Sequence, residues 1–150
     1  MNRIALVAGI LVVAAGGYFG ARSMGLLGGG PQAMNADEVS AYLEGMAQEI
    51  NGADGGLRYD DFSKLINAVH VEKQITIRGD SLLNMDKLGE GYLDSRKDQA
   101  ANKLCSDADA AAALAGGATF VYNWFSADNQ DIGMVTVRGA TFCEENGYSG

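Results

Sequence analysis

Cys105, Cys143 and His70 are the side chains of this sequence best suited to covalent or metal chemistry. Two cysteines are too few for a structural zinc site, and a catalytic thiol would have only His70 available as its base. Outside the cytoplasm, two thiols in one small domain indicate a disulfide. We therefore predict a Cys105–Cys143 bridge that joins a helical region to the final strand. It would close a loop of about 38 residues and contribute about 3–4 kcal/mol.

A second candidate is a calcium loop that contains Asp54, Asp60 and Asp61. This segment follows a predicted amphipathic helix and matches the second half of an EF-hand loop, with Asp61 at the last ligand position. The first two ligand positions would be Ile50 and Gly52, and neither has a side-chain oxygen. The sequence favours a glycine-rich loop before a strand, with its carboxylates in solvent, over a calcium site.

The remaining chemistry is sparse. The chain contains no glycine-rich phosphate loop, no serine-centred elbow and no cluster of metal ligands. His70 alternates with valines and is interpreted as a partly exposed strand residue. Phe120, Tyr122 and Trp124 fall on one face of a predicted strand, where they form either the core of the sheet or a possible interaction surface. We expect no cofactor and no enzymatic activity.

The charge distribution excludes nucleic acid as a partner. All 19 acidic residues lie from Asp37 onward, where only nine basic residues accompany them. A domain with this excess of negative charge repels phosphate backbones and anionic lipids. The acidity chiefly favours solubility.

Residues 4–21 form an uncharged, apolar run of 18 residues. As a helix the run would span about 27 Å, close to the hydrocarbon thickness of a bilayer. We expect a transmembrane or signal-anchor helix, with the N-terminus cytoplasmic because Arg3 and the terminal amine outweigh Arg22. Gly16 and Gly20 are spaced to let another helix pack closely. The alternative is a signal peptide cleaved after about 15 residues.

A flexible glycine-rich linker is predicted at residues 22–34, an extracytoplasmic domain at 35–146 and a tail at 147–150. The domain begins with a capping box and an amphipathic helix at 36–50. At 62–72 the pattern fits helix or strand, and the β-branched residues favour strands. The predicted elements are strands at 65–72 and 75–79, helices at 92–104 and 108–115, and a hairpin of strands at 119–125 and 132–137.

This order of helix, hairpin, helices and hairpin predicts an α+β fold with a mostly antiparallel sheet and one disulfide, preceded by the transmembrane helix. The pattern of a helix ending at Cys105, a turn at 116–117, an aromatic strand at 120–122 and a closing Cys143 resembles small exported bacterial domains. Its layout is similar to that of the β-type pilotins of type II secretion. The lipoprotein cysteine of pilotins is absent near the N-terminus.

Two functional hypotheses follow. The first is a non-enzymatic accessory or scaffold subunit, anchored in the bacterial inner membrane by residues 4–21, whose periplasmic domain docks onto an integral membrane protein complex. The second is a cleaved, freely periplasmic binding or inhibitor domain.

Overall fold

The computed structural model describes residues 33–147. The helices are α1 (Ala36–Gly52), α2 (Tyr92–Ser106), α3 (Ala108–Ala115) and α4 (Phe142–Glu145), with a 3-10 turn at Met85–Lys87. The strands are β1 (Leu57–Asp60), β2 (Ser63–Val71), β3 (Gln74–Ser81), β4 (Thr119–Phe125) and β5 (Asp131–Arg138).

The five strands form one mixed sheet in the order β1-β2-β3-β4-β5. β3 and β4 pair in parallel and the other neighbouring strands are antiparallel. The chain leaves β3, passes through α2 and α3, and returns to the same end of the sheet, which makes the β3–β4 pair parallel. The two predicted hairpins are present as β2–β3 and β4–β5. The predicted sheet is corrected in one respect: a parallel pair joins the two hairpins, so the sheet is mixed. Strand β1 was not predicted, because its four residues are too few to show a period-two pattern.

The predicted fold class also included a transmembrane helix. Across residues 33–147, the helices are all too short or too polar to cross a membrane. The segment predicted to span it, residues 4–21, lies outside the described residues, as do Gly16 and Gly20. The described structure is a small α+β domain with a mixed five-stranded sheet and one disulfide.

Helix α1 is fixed at both ends. Asn35 caps its first turn by accepting a hydrogen bond from the Glu38 backbone at 2.9 Å, as the capping box predicts. Near its last turn, the Asn51 amide donates to the Ala68 carbonyl oxygen at 2.8 Å and accepts from the Ala68 N–H at 2.9 Å. This pair of bonds holds the C-terminal end of α1 against β2. The predicted helix at 36–50 is confirmed.

The core face of the sheet is built on the aromatic residues of β4. Phe120, Tyr122 and Trp124 alternate along the strand and are all buried. The rings of Tyr122 and Trp124 stack with their centroids 6.4 Å apart. Gly79 lies beside Trp124 in the parallel pair, and a Cβ atom at Gly79 would collide with the indole ring. Only glycine lets this ring lie flat against β3.

The disulfide joins Cys105, near the end of α2, to Cys143 in α4, with the two Cα atoms 5.7 Å apart. The bridge itself agrees with the sequence prediction. The expectation that Cys143 belongs to the final strand is wrong, because residues 142–145 form a short helix after β5.

A buried ion pair fastens α2 to β1. Arg96 is 5% exposed, and its Nη1 atom donates to Asp60 Oδ2 at 2.5 Å. Its guanidinium carbon lies 4.8 Å from the ring centroid of Tyr92 and 4.6 Å from that of Trp124. The Gln99 amide donates to the same Asp60 oxygen at 2.8 Å. The cation is therefore paired, hydrogen-bonded and stacked, as a buried guanidinium requires.

Asp60 remains ionised to low pH in this setting. Burial raises the pKa of its carboxyl group, but the hydrogen bonds from Ser63, Gln99, the Phe62 backbone and Arg96 outweigh burial and lower the pKa to about 2. A carboxyl group with a pKa below its unfolded value of about 3.9 stabilises the folded state above that value. The stabilisation is lost as the pH falls through the folded pKa.

A Cβ atom at Gly79 would collide with the Trp124 ring. Gly79→Ala should for this reason destabilise the domain by about 2 kcal/mol, the usual cost of forcing an extra methyl group into a packed core. Gly45→Ala is the matched control, because a Cβ atom at this α1 position meets nothing within 4 Å. We expect it to be neutral or to stabilise the helix by up to about 1 kcal/mol. Urea denaturation followed by circular dichroism measures both, and equal effects would contradict the packing argument.

Asp60→Asn should destabilise the domain at neutral pH, because it leaves the Arg96 cation buried without its counter-charge. The difference in unfolding free energy from wild type should shrink as the pH falls from about 4 to about 2. Asp61→Asn serves as the control, since Asp61 is exposed and its pair with Arg58 is a surface one. If the difference in unfolding free energy between wild type and Asp60→Asn stays constant across this pH range, the proposed linkage is ruled out.

Candidate functional site

An open groove of about 300 Å³ lies between α1 and the corner where α2 meets α3, with β1 at one end. We call it the α1–β1 groove. Its lining is mostly apolar, and the volume falls at the lower end of the range for ligand sites, about 300–1,000 Å³. The lining residues are Tyr42, Met46, Ile50, Leu57, Arg58, Tyr59, Leu65, Lys103, Leu104, Ser106, Asp107, Ala110 and Tyr122.

A second depression, of about 590 Å³, runs along the outer side of α1. Glu44, Glu49 and small residues such as Gly45 and Gly52 line it. Its carboxylates stay hydrated there, so it offers less apolar surface than the α1–β1 groove for a partner to bury.

One wall of the α1–β1 groove is formed by Tyr42, Met46 and Ile50. These residues are spaced four apart, which places them on one side of α1. The Asn51–Ala68 hydrogen bonds hold this end of the helix against β2, so the wall has a fixed distance from the sheet.

The floor of the groove comes from the sheet, through Tyr59, Leu65 and Tyr122. The Tyr59 ring packs 6.1 Å from Tyr122 and 5.6 Å from Trp124, measured between centroids. Burial raises the pKa of both Tyr59 and Tyr122 above the ordinary value for tyrosine, so both phenols stay neutral at physiological pH. The floor is therefore aromatic and uncharged.

The second wall contributes Lys103 and Leu104 from α2 and Ala110 from α3. The Lys103 Nζ atom lies 4.7 Å from the centroid of the Tyr59 ring and donates to the Tyr59 carbonyl oxygen at 3.3 Å. Burial lowers the pKa of Lys103, Arg96 lowers it further and Asp60 opposes both. A partly desolvated ammonium group thus borders an apolar groove.

Cationic side chains cover part of β1, the edge strand beside the groove. Two of its carbonyl oxygens are already occupied: Lys103 donates to that of Tyr59, and Arg58 donates to that of Asp60 at 3.2 Å. Charged side chains that cover an edge strand discourage pairing with another strand. A partner in the groove would therefore bind through side chains rather than by extending the sheet.

Ser40 and His70 form a pair that the sequence did not suggest. Ser40 Oγ lies 3.1 Å from His70 Nε2, which resembles a nucleophile beside its base. The same Nε2 atom lies 2.7 Å from the carbonyl oxygen of Glu72. A carbonyl oxygen only accepts, so Nε2 carries a proton and cannot take the proton of Ser40. The geometry does not support general-base catalysis by this pair.

Two of the three calcium candidates are engaged by arginine side chains. Asp60 is engaged by Arg96, and Asp61 pairs with Arg58. Asp54 lies exposed in the turn after α1. Within residues 33–147, no group of three or more potential ligands is arranged to hold a metal ion.

The aromatic row lies inside the domain. Phe120, Tyr122 and Trp124 are each at most 2% exposed, and Tyr122 alone among them lines the groove. Tyr42 and Lys103, which line the groove, were not predicted as site residues from the sequence. The available signal for Tyr42 was its spacing of four residues from Met46, which widens the apolar side of α1.

No protein-family model and no curated protein matches this sequence. Solved structures share its fold. A Pseudomonas aeruginosa protein described as secreted is 17% identical, with a TM-score of 0.55 over 73% of this chain and 96% of that chain. The pilotin AspS of the Vibrio cholerae type II secretion system is 12% identical, with a TM-score of 0.55 over 69% of this chain and 91% of that one.

The pilotin EpsS of the Vibrio vulnificus type 2 secretion system is 22% identical, with a TM-score of 0.53 over 71% of this chain and 96% of that one. The resemblance predicted from the sequence is therefore confirmed for the fold. This domain is similar in fold to a secreted protein and to two pilotins.

Proposed function

We propose that this protein is an exported, non-enzymatic accessory protein that binds a segment of a partner protein in the α1–β1 groove. The observation that carries the proposal is the groove itself, whose aromatic floor and apolar walls lie between two helices that are each bonded to the sheet. We further propose that the partner belongs to a secretion assembly of the bacterial envelope. The fold shared with two type II secretion pilotins supports this choice.

The groove suits the apolar side of an amphipathic helix. Such a helix presents side chains at intervals of three and four residues, and these can enter a groove without needing backbone partners. The Lys103 and Arg58 side chains that bond to β1 disfavour an extended segment that would add a strand there.

Of the two hypotheses from the sequence, we propose the freely exported binding domain. Its support is the fold shared with a protein described as secreted, together with the Cys105–Cys143 disulfide, since such bridges persist in oxidising compartments. The absence of a working base for Ser40 supports binding rather than catalysis.

Photo-crosslinking in intact cells tests the proposal. A photoreactive amino acid at Ser106, at the mouth of the groove, should crosslink one discrete envelope protein through a segment that is apolar on one helical side. The same amino acid at Ser95 is the control, because Ser95 is also exposed on α2 but does not line the groove. It lies 11 residues away, about 16 Å along the helix.

A synthetic peptide of the crosslinked segment then gives a quantitative result. Ser106→Trp should weaken peptide binding at least about tenfold, because the indole occupies the groove mouth. Tenfold corresponds to about 1.4 kcal/mol. Ser95→Trp should leave peptide binding unchanged. Isothermal titration calorimetry measures both. No crosslink from Ser106, equal crosslinking from Ser95, or unchanged binding by Ser106→Trp would overturn the proposed function.

A further inference from the structure

We infer that the segment bound in the α1–β1 groove carries a carboxylate that pairs with Lys103. This inference rests on the proposed function and adds the charge that the partner must present. It assigns Lys103 as the residue that selects the partner and sets its orientation in the groove.

Lys103 differs from the two arginines beside it. Arg58 is paired with Asp61, and Arg96 is paired with Asp60. Among residues 33–147, no carboxylate lies within ion-pairing distance of Lys103 Nζ. The half-buried ammonium group beside the apolar groove therefore has no direct ion pair within the described residues, and Asp60 acts on it only over a longer distance.

Two carboxylates in this part of the domain, Asp60 and Asp107, are engaged by other groups. Asp60 accepts hydrogen bonds from Arg96 and Gln99 on one oxygen. Asp107 lines the groove as well, but it caps α3, where its Oδ1 atom accepts from the backbone N–H groups of Asp109 at 2.9 Å and Ala110 at 3.0 Å. Both carboxylates are therefore already hydrogen-bonded to groups other than Lys103.

The hydrogen bonding of Lys103 leaves room for a ligand. An ammonium group has three donors, and the one bond described here is a long one, at 3.3 Å to the Tyr59 carbonyl oxygen. Burial already lowers the pKa of this group, which means that its charge is poorly solvated. A carboxylate brought in by the partner would complete the hydrogen bonding and restore the favourable environment of the cation.

A polypeptide is the favoured source of the carboxylate. The groove holds only about 300 Å³ and most of its lining side chains are buried, so a free fatty acid would leave part of its tail exposed to water. A helix would cover the open side with its own backbone and present the acid at a fixed spacing from its apolar residues.

The test is a double-mutant cycle on the peptide identified by crosslinking. Each acidic residue of the peptide is changed in turn to its amide, and each peptide is titrated against the wild type and Lys103→Met. One amide substitution should weaken binding to the wild type about tenfold. The same substitution should have little effect on Lys103→Met, which keeps the apolar stem of the side chain.

Three controls make the result specific. Lys97→Met removes an exposed lysine of the same helix and should behave as wild type. Lys103→Arg should retain most of the affinity. Thermal unfolding should be similar for wild type and Lys103→Met, so that a loss of binding reports on the pair and not on folding.

The outcomes separate the two proposals. If Lys103→Met binds every peptide as the wild type does while Ser106→Trp does not, the carboxylate inference fails and the groove remains the binding site. A peptide with no carboxylate also overturns the inference. Decanoate tests a lipid source of the carboxylate. If it binds the wild type but not Lys103→Met, and every amide peptide binds the wild type as tightly as the unsubstituted peptide does, the carboxylate comes from a lipid and the inference is wrong. If Ser106→Trp binds normally, the proposed function itself fails.

Discussion

Arg96 is a cation with almost no access to water, and the position of α2 depends on how its charge is compensated. Removing a guanidinium from water costs several kcal/mol unless its charge and its donors are paired. Here Asp60 supplies the charge, Gln99 accepts a second bond at 2.7 Å, and the rings of Tyr92 and Trp124 cover the flat faces. These partners come from β1, β4 and α2 itself, so the favourable arrangement exists only when all three elements are in place.

The same arrangement sets the geometry of the groove. Lys103 lies seven residues after Arg96, which places it two turns further along the same side of α2. Once Arg96 is fixed on Asp60, Lys103 is carried over the Tyr59 ring, which belongs to the same strand as Asp60. An ion pair outside the groove thus sets the position of the α2 wall relative to β1. Contacts among the apolar lining residues are not needed to set this distance.

Local patterns in the sequence predicted much of the fold. The capping box at Asn35 and the apolar spacing after it located α1, and the alternating aromatic residues located β4. Pairing across long distances was not predictable in this way. The parallel β3–β4 pair depends on the direction in which α2 and α3 return the chain, and β1 is too short for a periodic signal.

The site was harder to predict than the fold for the same reason. The Arg96–Asp60 pair joins residues 36 apart in the chain, and nothing in either local sequence indicates the other. The sequence contains one such signal on α2. Tyr92, Arg96, Gln99 and Lys103 recur at intervals of three and four residues, so a mostly polar stripe occupies one side of α2. A polar stripe on a helix whose other residues are also polar does not by itself show which side faces the sheet.

The parallel β3–β4 pair near the centre of the sheet can form only after both crossover helices have been made. Chain synthesis proceeds from the N-terminus, so α1 and the β2–β3 hairpin can form while the later residues are still missing. Tyr122, which completes the groove floor, arrives only after both crossover helices have emerged. Non-local pairing of this kind is slow compared with hairpin formation. The groove is therefore among the last features of the domain to form, because its floor is incomplete until β4 has paired with β3.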